Sequence, residues 1–111
     1  MNQNAKSCSK RQEQEIARMV GGKVQPNSGG TRFGGGDVHT QSVFIEAKTP
    51  VSDKQTFSIK REWLEKAREQ AFEQNKTNYA LAFRFGPEQP DYFVIDKRLF
   101  KYLIEKLEEE L

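Results

Sequence analysis

Gly36-Asp37-Val38-His39-Thr40-Gln41-Ser42-Val43-Phe44-Ile45-Glu46-Ala47-Lys48 reads as two antiparallel strands, Asp37 to Thr40 and Ser42 to Lys48, with a tight turn near Gln41. Successive side chains on a strand point to opposite faces. Glu46 and Lys48 therefore share one face and Ala47 takes the other. Asp37 opens the first strand of the hairpin, where its carboxylate can meet Glu46. Two carboxylates and an ammonium converge at one sheet edge. Hard divalent cations take oxygen ligands, and Mg²⁺ is held by one or two carboxylates together with waters and substrate phosphates. A lysine beside such a site can orient or deprotonate an attacking water, or stabilise charge on a phosphate. Residues of this kind suit hydrolysis of a phosphodiester.

Glu46-Ala47-Lys48 is a full (D/E)XK triplet, and Gly36-Asp37 stands where the pattern has Pro-Asp. The chain resembles the PD-(D/E)XK nuclease superfamily, and within it the small Holliday-junction resolvases of phages and archaea. The resemblance covers about residues 10–95. It implies an α/β fold with a restriction-endonuclease-like core, a central mixed β-sheet flanked by helices in the order α-β-β-β-α-β-β-α. It implies a metal-dependent endodeoxyribonuclease in which Asp37, Glu46 and the backbone carbonyl of Ala47 hold Mg²⁺, with Mn²⁺ able to substitute, and Lys48 assists the nucleophilic water. A glutamate on the first helix completes such sites; Glu13, in Glu13-Gln14-Glu15-Ile16, takes that place, with Glu15 as its neighbour and rival. The resemblance also points to DNA contacts at Ser28, in the loop before Gly36, and at Lys54 and Gln55, after the catalytic lysine. Other nucleases of the superfamily (nicking, repair or packaging enzymes) and a non-catalytic DNA-binding module are the alternatives. Carboxylates beside DNA repel phosphate unless a metal is present, which weighs against the last.

At 111 residues the sequence holds one domain with a modest core. With 31% charged residues and no apolar run near the roughly 20 residues of a transmembrane helix, a membrane span is excluded. Met1 to Lys10 has no apolar segment for a signal peptide, so the expected location is inside a cell. One cysteine and one histidine exclude an intrachain disulfide and the usual zinc sites. The net charge of +2 is unevenly spread: residues 1–61 carry +5 and residues 62–111 carry −3. The basic half contains the candidate site, as the approach of a phosphate backbone requires.

Residues 1–9 read as a disordered start, ahead of a single domain over 10–111. A helix is expected from Lys10 to Met19, capped by Ser9, with Ile16, Met19 and Val20 as its apolar stripe and Gly21-Gly22 as its stop. Lys23 to Gln25 is a short strand ended by Pro26. Residues 27–36 contain five glycines, a composition no helix or strand interior tolerates. No Gly-Lys-Ser/Thr follows, and the run feeds a strand, so it is no P-loop. Its bare backbone lets DNA approach closely, and Arg32 can take a phosphate. His39, at i+2 from Asp37, is within reach of the site but is read as a surface or packing residue.

Ser58 is expected to cap a helix from Ile59 to about Asn75, with Ile59, Trp63, Ala67 and Ala71 facing the sheet; Trp63 is read as core and not as a base-stacking platform. Two strands follow, Tyr79 to Phe85 and Asp91 to Ile95. Asp96 caps a last helix with Leu99, Leu103 and Leu107 in line, widened by Phe100, Ile104 and Leu111. That stripe is wider than one small sheet face covers, which leaves a partner subunit or a fully covered monomer. Resolving a four-way junction needs cuts in two strands related by its two-fold axis, and one chain has a single Asp37/Glu46/Lys48 set, so a homodimer is expected.

Overall fold

The computed structural model describes residues 4–25 and 36–111. Helix α1 (Ala5–Val20) leads into β1 (Lys23–Val24), β2 (Gly36–His39) and β3 (Val43–Lys48); α2 (Arg61–Glu73) crosses to β4 (Asn78–Phe83), which turns into β5 (Tyr92–Val94) and then α3 (Lys97–Glu109). The five strands form one open sheet in chain order. β1, β2 and β3 make an antiparallel meander, β3 and β4 are parallel, and β5 returns antiparallel to β4. The parallel step exists because α2 carries the chain back across the sheet between β3 and β4. The architecture is α/β with a mixed sheet and three helices in the expected order.

Alternation along β3 assigns its two faces. Ile45 and Ala47 join Val38, Ala80 and Ala82 under Ile16 and Ala17 of α1. Phe44 joins Tyr79 under Ala67 and Ala71 of α2. The small alanines of β3, β4 and α2 let both helices lie close to the strands. Glu46, on the α2 face, is 1% exposed, although one face of a strand usually reserves such a position for an apolar side chain.

Several boundaries and packing roles differ from those expected. α1 begins at Ala5, so residues 5–9 are not a disordered lead. Asn4, rather than Ser9, caps it by accepting a hydrogen bond from the Ser7 N–H at 2.8 Å. The buried stripe of α1 is Cys8, Gln12 and Ile16, at four-residue spacing, and Met19 is exposed. Gln12 hides that stripe from a hydropathy reading because it is polar. The expected stop is found at Gly21, which takes φ +68° and donates its N–H to the Ala17 carbonyl.

α2 starts at Arg61, with Lys60 as an N-cap that makes no side-chain bond, so Ser58 does not cap it and Ile59 precedes it, exposed. The reason is Phe57. Its ring stacks on Phe83 at 5.1 Å and meets Trp63 at 6.0 Å, which keeps the chain outside the helix until Trp63 can reach it. Trp63 is half-buried beside Lys48 rather than enclosed in the core. At the other end Asp96 caps α3 as expected, accepting from the Leu99 N–H at 2.9 Å. No residue of α3 is buried, however. Leu99 is half-buried, and Phe100, Leu103, Ile104, Leu107 and Leu111 of the apolar stripe are exposed. Among the described residues no helix is long and apolar enough to cross a membrane.

Candidate active site

The β2–β3 register puts Asp37 directly opposite Glu46, so the two side chains leave the same face as cross-strand neighbours. Lys48, two residues on, turns its Nζ back to 3.4 Å from Glu46 Oε2. Asp37, Glu46 and Lys48 thus come together as expected, on the face covered by α2.

Burial pushes Asp37 up to about 7; the charge of Glu46 adds to this, as does a hydrogen bond that the protonated Asp37 carboxyl donates to Glu46, while Lys66 on α2 pulls the other way. Glu13 comes from α1 and is half-buried. It too is pushed up to about 7, first by burial and then by the charge of Glu46, against a smaller pull from Lys10. Glu15 has another partner: its Oε1 accepts from Arg84 Nη2 at 2.6 Å. Of the two helix-borne acids, Glu13 is the one whose field meets the Asp37–Glu46 pair.

Asp37 Oδ1 and Glu46 Oε1 are buried and accept no hydrogen bond from any described protein group. An orphaned acceptor in such a place costs free energy unless something fills it, and two orphans on facing carboxylates suit a hard cation. Among the described residues no group of three His, Cys, Asp or Glu side chains closes on a single point as a metal cage. A pair of carboxylates completed by water and phosphate oxygens is enough for Mg²⁺, so the donor set fits. Ala47 buries its methyl on the opposite face and carries the carbonyl between Glu46 and Lys48.

Three features escaped the sequence reading. Lys48 lies over the Trp63 ring, with Nζ 4.9 Å from its centroid, and Lys60 lies 5.7 Å from the same ring. Lys66, which the charge pattern places on an outer face, is half-buried and its charge acts on Asp37. Gln12, 0% exposed, donates from Nε2 to the Lys48 carbonyl and to Asp91 Oδ1, both at 2.9 Å. Two acceptors at one end fix the amide orientation. Asp91 is gripped by Arg84 through Nε at 2.9 Å and Nη2 at 2.8 Å, and Arg84 Nη1 donates to the Pro87 carbonyl at 2.9 Å. This network ties α1, the end of β3 and the β4–β5 turn together at the backbone of Lys48. The Glu-x-Lys triplet signalled the strand, but no local pattern announces a glutamine that bonds 36 residues away.

His39, two residues from Asp37 on the same strand, pairs with Lys23 and Phe44. Lys54 and Gln55 are exposed on the loop between β3 and α2, and the Lys54 N–H donates to the Phe85 carbonyl at 2.7 Å. Ser28 and Arg32 lie outside the described residues. Compared with known proteins, the chain matches no family model, no curated protein and no solved structure.

Proposed function

We propose that this chain is a Mg²⁺-dependent endonuclease with a restriction-endonuclease-like core, cutting DNA phosphodiesters and acting on branched DNA as a homodimeric Holliday-junction resolvase. The observation that carries the reading is the Asp37–Glu46 pair, with a buried orphan oxygen on each carboxylate and Lys48 at 3.4 Å. Two buried carboxylates held face to face carry a cost in burial and repulsion that a bound cation would offset.

Asp37 and Glu46, with the Ala47 carbonyl, would hold Mg²⁺, which when bound supplies a Lewis acid for the phosphate and acidifies water. Lys48 orients the attacking water and offsets charge that develops on the phosphate oxygens. Its ammonium is held by Glu46 on one side and the Trp63 ring on the other, so little freedom remains to be lost when substrate arrives. Gln12 fixes the Lys48 backbone from the opposite face. Glu13, on α1 beside the pair, would hold a water next to it. Arg32, Ser28, Lys54 and Gln55 are proposed to contact the DNA backbone.

The test is one gel series. The protein is incubated with Mg²⁺ and a four-way junction, the matched duplex or a single strand, alongside Asp37→Asn and Glu46→Gln. Junction cleavage in paired opposing strands, absent in both variants, is the expected result. Cleavage by either variant at the wild-type rate sinks the metal assignment. Equal nicking of duplex and junction removes the resolvase specificity and leaves a general nuclease.

A further inference from the structure

α3 meets the start of β4 through Arg98 but packs no buried residue against the rest of the fold. It is a capped helix of 13 residues, roughly 20 Å long at 1.5 Å per residue, and it buries none of them. Phe100, Leu103, Ile104 and Leu107 stay exposed, as does Leu111 just past its end. At 100° per residue Phe100, Leu103, Ile104 and Leu107 fall within about one third of the helix circumference, a continuous stripe with the spacing of a packing face. An amphipathic helix this short is marginal in water without a surface to cover its stripe, yet Asp96 caps it and Arg98 anchors its start, donating to the Thr77 carbonyl and Asn78 Oδ1 at 2.8 and 2.9 Å. The helix is built and aimed away from its own sheet.

Charge says what covers it. The first half of α3 carries Lys97, Arg98 and Lys101 with no acid; the second half carries Glu105, Glu108 and Glu109 with only Lys106, and Glu110 follows as its C-cap. Lys106 is already paired with Glu109 at 3.3 Å. A second copy laid antiparallel across the stripe sets each basic half against the acidic half of its partner. With the two-fold axis near Leu103 and Ile104, Lys101 of one protomer falls within about a turn of Glu108 on the other, on the same flank of the stripe. A parallel pair would instead set like against like.

We propose that two copies of this chain pair through α3 as an antiparallel, two-fold symmetric helix pair. The inference specifies the contact of the homodimer in the reading above and is independent of its chemistry. The stripe is self-complementary in both apolar surface and charge, as an isologous contact requires. One helix face provides less than the roughly 800 Å² per partner of a standard interface, so the mass depends on concentration.

Light scattering on the whole protein at low and high micromolar concentration, in the absence of DNA, tests it. The wild type should approach roughly twice 12.8 kDa at the higher concentration. Leu103→Glu and Leu107→Lys, at positions already exposed, should keep the circular dichroism of the wild type and stay at the monomer mass. Lys97→Glu/Lys101→Glu and Glu105→Lys/Glu108→Lys should each be monomeric alone and recover the dimer mass when mixed. A monomeric wild type at every concentration overturns the proposal, as does a dimer that persists in the Leu variants. A dimer unaffected by either charge reversal alone overturns the antiparallel arrangement. Nuclease assays on the same samples report separately, so a failed dimer and a failed active site are told apart.

Discussion

Replacing Asp37 with asparagine should make the metal-free protein more stable at neutral and alkaline pH, and the gain should vanish in acid. In the folded state the Asp37 carboxyl sits near 7 rather than at its ordinary 3.8, because it is buried beside Glu46. Between those two pH values the folded protein keeps a proton that the unfolded chain has released. The folded state is therefore favoured at low pH, and this advantage is lost as the pH rises from about 4 through 7. A shift of about 3 units corresponds to about 4 kcal/mol at 1.36 kcal/mol per unit. Asp37 is only partly buried, and solvent screening reduces this to about 2 kcal/mol. For a chain of this size that is about 8–10 °C in Tm. The Asp37→Asn side chain has no proton to lose, so the difference in Tm between variant and wild type, measured by thermal melts in EDTA, should grow by that amount from pH 4 to pH 8. Glu13, raised in the same direction, leaves a smaller slope in both proteins, and adding Glu13→Gln should remove it. Mg²⁺ at pH 8 should raise the wild-type Tm, by occupying the carboxylates, and leave the Asp37→Asn variant unmoved. Parallel Tm-versus-pH curves for the two proteins would refute the burial and coupling argued for the pair.

Lys48→Met keeps the stem on Trp63 and removes the charge, so circular dichroism should hold while cleavage falls by at least about 10²; a twofold loss would make Lys48 a bystander. Mg²⁺ or Mn²⁺ should support cutting and Ca²⁺ only DNA binding, since calcium is larger and its bound water less acidic; full activity in EDTA would exclude the metal altogether. Gln12→Met preserves volume and drops both bonds to Lys48 and Asp91. It should lower kcat with little change in KM, and add nothing further in a Lys48→Met background if Gln12 acts through Lys48. Arg84→Met removes the charge partner of Asp91, leaving it the Gln12 amide, and should cost about 3 kcal/mol in a urea melt; an unchanged midpoint would show that the network is not a structural tie.

What the sequence revealed and what it hid divide along a physical line. Strand periodicity and the Gly-rich break made β2 and β3 legible, and with them the meeting of Asp37, Glu46 and Lys48, because a two-residue repeat fixes which side chains share a face. The Asp96 cap and the Gly21 stop were legible for the same reason: each is a local event within four residues. Tertiary contacts moved the other boundaries. Phe57 docks on Phe83 and holds α2 back to Arg61. Cys8 and Gln12, polar or ambiguous in hydropathy, continue the buried side of α1 and extend it to Ala5.

Gln12 shows why part of the site stayed hidden. A glutamine within a charged helix is ordinarily a solvated residue, and only the fold brings it against the carbonyl of Lys48 and the carboxylate of Asp91. Those two bonds, one to a charged acceptor, offset the burial of its Nε2 end, while Oε1 accepts no hydrogen bond from the described residues. A bulkier apolar residue at position 12 would pack against the same strands but leave the Lys48 carbonyl and Asp91 without that donor. A leucine there would satisfy the core and loosen the backbone that carries the ammonium. The buried position of Gln12 and the exposed stripe of α3 are thus the same kind of exception, a residue type set against its expected environment, and each marks a contact that hydropathy alone does not demand.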